Sequence, residues 1–193
     1  MSDRETKSCC CPGNTACCGP EPAATGPVES VPGKRRLDID FLYLDVSICT
    51  RCQGTEDSLE EALDEVTRVL EATGTEVSVR KIHITNEELA RAHRFVSSPT
   101  IRVNGRDIQL DVKESQCESC GDLCGDEVDC RIWVYQGREY TSPPKAMIVD
   151  AILRAVYGGL NEDNVVEPEA YDVPANLRRF FAARHKKETG QTP

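Results

Sequence analysis

The sequence predicts an α/β fold, a central mixed β-sheet flanked by helices, with a cysteine-rich loop insertion. Three observations predict it. The apolar run IDFLYLDV, from Ile39 to Val46, has the length of a buried strand. Cys49-Thr50-Arg51-Cys52 follows at once and opens a stretch of helical periodicity. Further on, two alternating segments flank Asn104-Gly105, the pair that favours a tight hairpin turn.

The elements follow in order. The first strand starts at Asp38 and ends at Ser47. Leu59, Ala62, Leu63, Val66 and Leu70 recur at three- and four-residue spacings and give the next helix its apolar face, with Glu and Asp on the other. Gly74 suits the position after its end. Val77, Val79, Ile82 and Ile84 suggest a second strand with broken alternation, and Asn86 is placed to cap a short helix reaching Arg94. Ser97-Ser98-Pro99-Thr100 leads into the hairpin, whose strands carry Ile101 and Val103, then Ile108, Leu110 and Val112. An acidic, cysteine-bearing loop is expected from Lys113 to Cys130. A strand from Arg131 to Tyr135 follows, with Trp133 and Tyr135 as packing residues, then a turn at Gln136-Gly137. Pro143-Pro144 opens a helix that Gly158-Gly159 ends. A short amphipathic helix from Leu177 to Arg184 is expected to dock on the core through Leu177, Phe180 and Phe181. No internal repeat is visible.

The domain organisation reads as a disordered, cysteine-containing tail over residues 1–36, a folded domain over 37–160, and a linker with its docking helix over 161–193. In the tail, glycines and prolines alternate without apolar periodicity.

Composition narrows the function. A formal net charge of -10 over 193 residues opposes nucleic acid and anionic membrane as partners, since both need a basic face. No apolar run approaches the roughly 20 residues of a membrane span, and MSDRETKSCCC has no signal-peptide core, so a cytoplasmic location is expected. Eleven cysteines, an odd number in three tight groups, read as redox or metal-binding thiols rather than as a secreted disulfide framework.

The first group is Cys49 and Cys52. A strand, a C-x-x-C and an amphipathic helix in that order form the thioredoxin-like arrangement. The helix N-terminus and Arg51 favour a thiolate at Cys49, the expected attacking sulfur, and Cys52 would resolve a mixed disulfide. Pro99 would be the cis-proline opposite them, because X-Pro bonds alone turn cis readily. The second group, Cys117, Cys120, Cys124 and Cys130, can surround one tetrahedral ion, zinc or another thiophilic metal being the cofactor suggested. Disulfides and a second redox pair relaying electrons to Cys49-Cys52 stand beside that reading. The third group, Cys9, Cys10, Cys11, Cys17 and Cys18, suits soft ions such as arsenic(III), mercury(II) or copper(I). His83, His93 and His185 lack metal-ligand spacing, and no Ser-His-Asp arrangement, P-loop or G-x-G-x-x-G occurs.

The stretches FLYLDVSICTRCQGTEDSL, SSPTIRVNG, CESCGDLCGDEVDCRIWVYQGREY and VPANLRRFF resemble an uncharacterised thioredoxin-like family catalogued as a domain of unknown function. Its members are often found near arsenic or mercury resistance genes. The resemblance spans Asp38 to Phe181 and implies a thioredoxin-like fold, with Cys49, Cys52 and Pro99 in the roles above. Ile48 and Thr50-Arg51 stand where true thioredoxins carry Trp and Gly-Pro. The expected function is thiol–disulfide exchange, with a redox partner protein or a thiophilic metal or metalloid as the other party. The alternative is non-enzymatic binding or sequestration of zinc, arsenic(III), mercury(II) or copper(I).

Overall fold

The computed structural model describes residues 35–124, 127–158 and 170–190. Cys9, Cys10, Cys11, Cys17 and Cys18 lie outside them, as do most of the expected tail and linker. The fold is mixed α/β. Its elements in chain order are β1 (Arg35–Tyr43), α1 (Thr50–Ala72), β2 (Thr75–His83), α2 (Glu87–Ala92), β3 (Thr100–Val103), β4 (Arg106–Asp107), β5 (Lys113–Gln116), α3 (Glu118–Cys124), β6 (Asp129–Tyr135), β7 (Arg138–Tyr140), α4 (Lys145–Tyr157) and α5 (Ala175–Glu188). Among the described residues no helix is long and apolar enough to cross a membrane.

The main sheet has the strand order β2-β1-β3-β4. The β1 and β2 strands run parallel, joined by α1, whereas β1–β3 and β3–β4 are antiparallel. The unbroken apolar run predicted a strand covered on both faces, and β1 is one. Leu37, Ile39 and Phe41 pack with α1 and α4, while Leu42 joins a second buried cluster that holds the cysteines. The apolar face of α1 is buried at Leu59, Ala62, Val66 and Leu70, as its spacing predicted. Gly54 lets that helix approach the chain before α4, because a Cβ there would sit 2.4 Å from Ser142 Oγ. The Asn86 side chain accepts from Leu89 N–H at 2.9 Å and caps α2. Asn104 and Gly105 both have positive φ, as the expected hairpin turn requires.

Several expectations change. The first strand begins at Arg35, three residues before Asp38. The second hairpin strand shrinks to Arg106–Asp107, because the Asp107 carboxylate is drawn to Arg131 of β6 through two 2.8 Å hydrogen bonds. The chain then leaves the sheet. Gln109 stitches it to β6 by donating to Ile132 O and accepting from Val134 N–H, and Leu110 and Val112 are left exposed. The expected loop over 113–130 carries both a strand and a helix. The Lys113-Glu114-Ser115-Gln116 segment has no strand propensity, but antiparallel pairing with β6 holds it as β5, a tertiary override of local preference. With β7 these strands make a second, three-stranded sheet. Arg131 N–H donates to Ser98 O at 2.7 Å and links the two sheets.

The terminal helix is longer than the predicted segment and is anchored at both ends. Asn176 accepts from Asp129 N–H and donates to Asp129 O, behaving like a strand neighbour of β6. Lys187 donates to Asp122 O and Leu123 O at the C-terminal end of α3, where a cation suits the helix dipole. Leu177, Phe180 and Phe181 are buried in the cysteine-bearing cluster.

Candidate metal centre

The turn after β1 is built by Asp45. Its Oδ1 accepts from Ser47 N–H at 2.7 Å, Ser47 Oγ at 2.6 Å and Ile48 N–H at 3.0 Å. This side-chain turn reverses the chain and leaves Cys49 as the residue before α1, in an extended conformation with its carbonyl accepting the first helical bond from Gln53. Cys117 likewise stands before α3. Its N–H is tied to Val128 O at 2.8 Å, and its carbonyl accepts from Gly121 N–H. Cys120 follows on α3, and Cys130 lies on β6 opposite Ser115.

These elements bring together the sulfurs of Cys49, Cys117, Cys120 and Cys130, all four within 4.8 Å of one another and all four residues buried. Cys49 and Cys117 are 3.9 Å apart, Cys120 and Cys130 3.3 Å. A tetrahedral ion with metal–sulfur bonds of about 2.3 Å sets its sulfurs about 3.8 Å apart. The two distances bracket that value. The four residues can therefore hold one metal ion, and thiolate donors select soft or borderline metals.

Arg51 locks the two halves of the site. Its guanidinium donates to Ser115 O at 3.2 Å, Cys130 O at 3.0 Å, Ser115 Oγ at 3.0 Å and Gln116 O at 2.6 Å. The start of α1 is thus clamped onto β5 and β6. On the rim, the Thr50 and Ser119 hydroxyls meet at 3.2 Å.

The electrostatics are those of crowded thiols. Hydrogen bonds from Cys117, Cys120, Cys130 and Cys52 hold the Cys49 thiol far below its ordinary range. Cys117 is lowered to about 7, chiefly by Cys120 and then Cys130. Contact with Cys117 pushes the Cys120 and Cys130 thiols up, and contact with Cys49 followed by burial pushes Cys52 up. Four thiolates can share so small a volume only around a cation, because like charges in a poorly solvated space disfavour further ionisation.

The sequence-predicted residues divide. Cys117, Cys120 and Cys130 come together, but the fourth sulfur is that of Cys49. Cys124 lies at the end of α3, one helical turn beyond Cys120, with its Sγ 3.9 Å from Gly121 O. The two cysteines of the C-x-x-C also part, Cys49 within the close group and Cys52 outside it. Cys52 turns toward Ser98, its Sγ 3.4 Å from Ser98 Oγ. The Ser98–Pro99 peptide bond is cis. His83 is no part of the cluster: its Nε2 is 2.8 Å from Leu44 O and its ring stacks on Tyr43. Asp45 and Ser98 are the supporting residues that sequence reasoning missed. Asp45, two positions before Ser47, carried the Asx-turn signal that could have found it.

Residues 37–152 match a family described as a domain of unknown function (DUF2703). No curated protein and no solved structure matches the chain.

Proposed function

For a chain that belongs to the DUF2703 family, we propose that Cys49, Cys117, Cys120 and Cys130 bind one thiophilic metal ion, zinc being the one their geometry suits best. One observation carries the reading: four buried sulfurs, drawn from three separate elements, lie within 4.8 Å of one another, close enough for one ion to bond all four. The site is closed. Four protein donors fill a tetrahedron and leave no position for water or substrate, which is the pattern of ions that are held rather than ions that catalyse. The bound ion would tie the start of α1 to a knuckle 68 residues further along the chain.

The experiment is metal analysis and cobalt(II) titration of the reduced, purified protein. One equivalent is expected, with the sulfur-to-cobalt charge-transfer absorption of a four-thiolate site. Cys117→Ser should lose most of that binding, and Cys124→Ser should keep it. Equal loss in both variants, or no retained ion in the wild type, refutes the reading.

A second reading keeps the thioredoxin-like exchange between Cys49 and Cys52, with the arsenic or mercury setting that the resemblance implied. The observation favouring it is the placement of both residues, buried, at the start of α1, Cys49 as its cap and Cys52 in its first turn. A sulfur held by an ion is not free to attack a disulfide. Reduction of insulin disulfides by the zinc-loaded protein, lost in Cys49→Ser, would therefore favour exchange over binding.

A further inference from the structure

The sulfurs of the proposed centre are not evenly spaced. Cys120 and Cys130 stand 3.3 Å apart, Cys49 and Cys117 3.9 Å. One ion bound by four thiolates would set its sulfurs about 3.8 Å apart, so Cys120 and Cys130 are closer than the ion alone requires. A disulfide bond is about 2.05 Å long, which leaves these two sulfurs about 1.3 Å to close. Both belong to one knuckle whose parts are pinned together. The Cys117 N–H, at the start of the knuckle, donates to Val128 O at 2.8 Å, just ahead of β6. From the other side α5 holds both elements. Asn176 grips Asp129, the neighbour of Cys130, and Lys187 donates to Asp122 O and Leu123 O on α3. The pair can therefore join by side-chain rotation. A Cys49–Cys117 bond must instead close a wider gap between elements from opposite halves of the site.

We propose that Cys120 and Cys130 form a redox switch: a small hydroperoxide joins them in a disulfide, and the ion is released. The proposal rests on the reading of the four sulfurs as metal ligands in the preceding section, and it says how that site is regulated. The chemistry takes two displacements. One thiolate of the pair attacks the outer oxygen of ROOH. The O–O bond breaks, the departing alkoxide takes a proton to give ROH, and the cysteine becomes a sulfenic acid. The other thiolate then attacks that sulfur. The S–S bond forms, and hydroxide leaves and takes a proton to give water. The pair loses two electrons and the hydroperoxide gains them. Sulfurs joined in a disulfide no longer donate as thiolates, and Cys49 and Cys117 by themselves leave a tetrahedral ion two donors short. Burial selects the oxidant. None of the four residues is more than 3 % exposed, so hydrogen peroxide reaches the pair more readily than a bulky disulfide such as oxidised glutathione.

The test loads the full-length protein with zinc, adds hydrogen peroxide, and follows release of the ion with a chromogenic chelator. Remaining thiols are then alkylated without reductant, and disulfides are mapped by mass spectrometry. Zinc release should rise in step with a Cys120–Cys130 bond and be complete when that bond is complete. A dithiol reductant should restore binding. Cys124→Ser should switch as wild type does, and a Cys124→Ser protein that keeps its zinc overturns the pairing. Oxidised glutathione at the same concentration should release zinc more slowly; an equal rate overturns the choice of a small hydroperoxide. A first bond that joins Cys120 or Cys130 to any other cysteine overturns the switch, as does release while both are still alkylated. A wild type that takes up no zinc sinks the metal reading and the switch with it; a wild type that keeps its zinc while the Cys120–Cys130 bond forms sinks the switch alone.

Discussion

Replacing Arg51 measures how much of the site is held by the protein itself. Its guanidinium makes four hydrogen bonds, three of them partly buried and one, to Gln116 O, at the surface. A hydrogen bond from a charged donor contributes about 1.5–3 kcal/mol. Water can take over at Gln116 O when the side chain is removed, so that bond is left out. Three bonds at the low end of the range put the cost of Arg51→Ala at about 4.5 kcal/mol. For a chain of this size that corresponds to a fall in Tm of roughly 9–18 °C. Arg51→Lys should recover less than half of it, because a single ammonium cannot span carbonyls on both β5 and β6 as a planar fork does. The assay is thermal unfolding followed by circular dichroism, with chelator present, so that no ion substitutes for the clamp. An Arg51→Ala protein within about 2 °C of wild type, less than 1 kcal/mol on the same conversion, would refute the clamp. A Lys variant equal to wild type would refute the geometric part of the argument.

Two further outcomes are expected. Asp107→Asn leaves the fully buried Arg131 guanidinium, which also stacks on Trp133, without its carboxylate. An uncompensated buried charge costs about 3–5 kcal/mol, and a urea midpoint unchanged from wild type would show that the guanidinium does not depend on Asp107. At Asp45, burial pulls the carboxyl up, but hydrogen bonds from Ser47 and Ile48 outweigh it and leave the pKa below the ordinary 3.8. A depressed carboxyl contributes stability above its unfolded value and loses it as pH falls through its folded value. Wild-type stability should therefore drop below pH of about 4, and Asp45→Asn should flatten that acid limb; parallel limbs in urea titrations would dismiss Asp45 as the titrating group.

Much of the fold was legible because its signals are local. The apolar run of β1, the face of α1, the Asn86 cap and the Asn104-Gly105 turn each depend on residues within a few positions. What escaped depended on distant partners. Nothing in Lys113-Glu114-Ser115-Gln116 announces a strand, since β6 supplies the reason it is one. Alternation through Ile108, Leu110 and Val112 suggested a strand, but the pull of Arg131 on Asp107 redirected the chain. The candidate site follows the same rule. Spacing grouped Cys117, Cys120, Cys124 and Cys130 because they are neighbours in sequence, and paired Cys49 with Cys52 for the same reason. The fold exchanges one member between the groups: Cys124 lies a helical turn too far along α3, and β1 and its Asp45 turn deliver Cys49 from 68 residues away. No spacing rule encodes that distance.

The matched segment, residues 37–152, contains every one of the four sulfurs, whereas Val173, Leu177, Phe180 and Phe181, buried in the same cluster, come after it. The proposed donors and the late apolar residues packed in their cluster are therefore written in different parts of the chain. A substitution among the latter leaves every proposed donor in place, so the surroundings of the four sulfurs can change while their number stays the same.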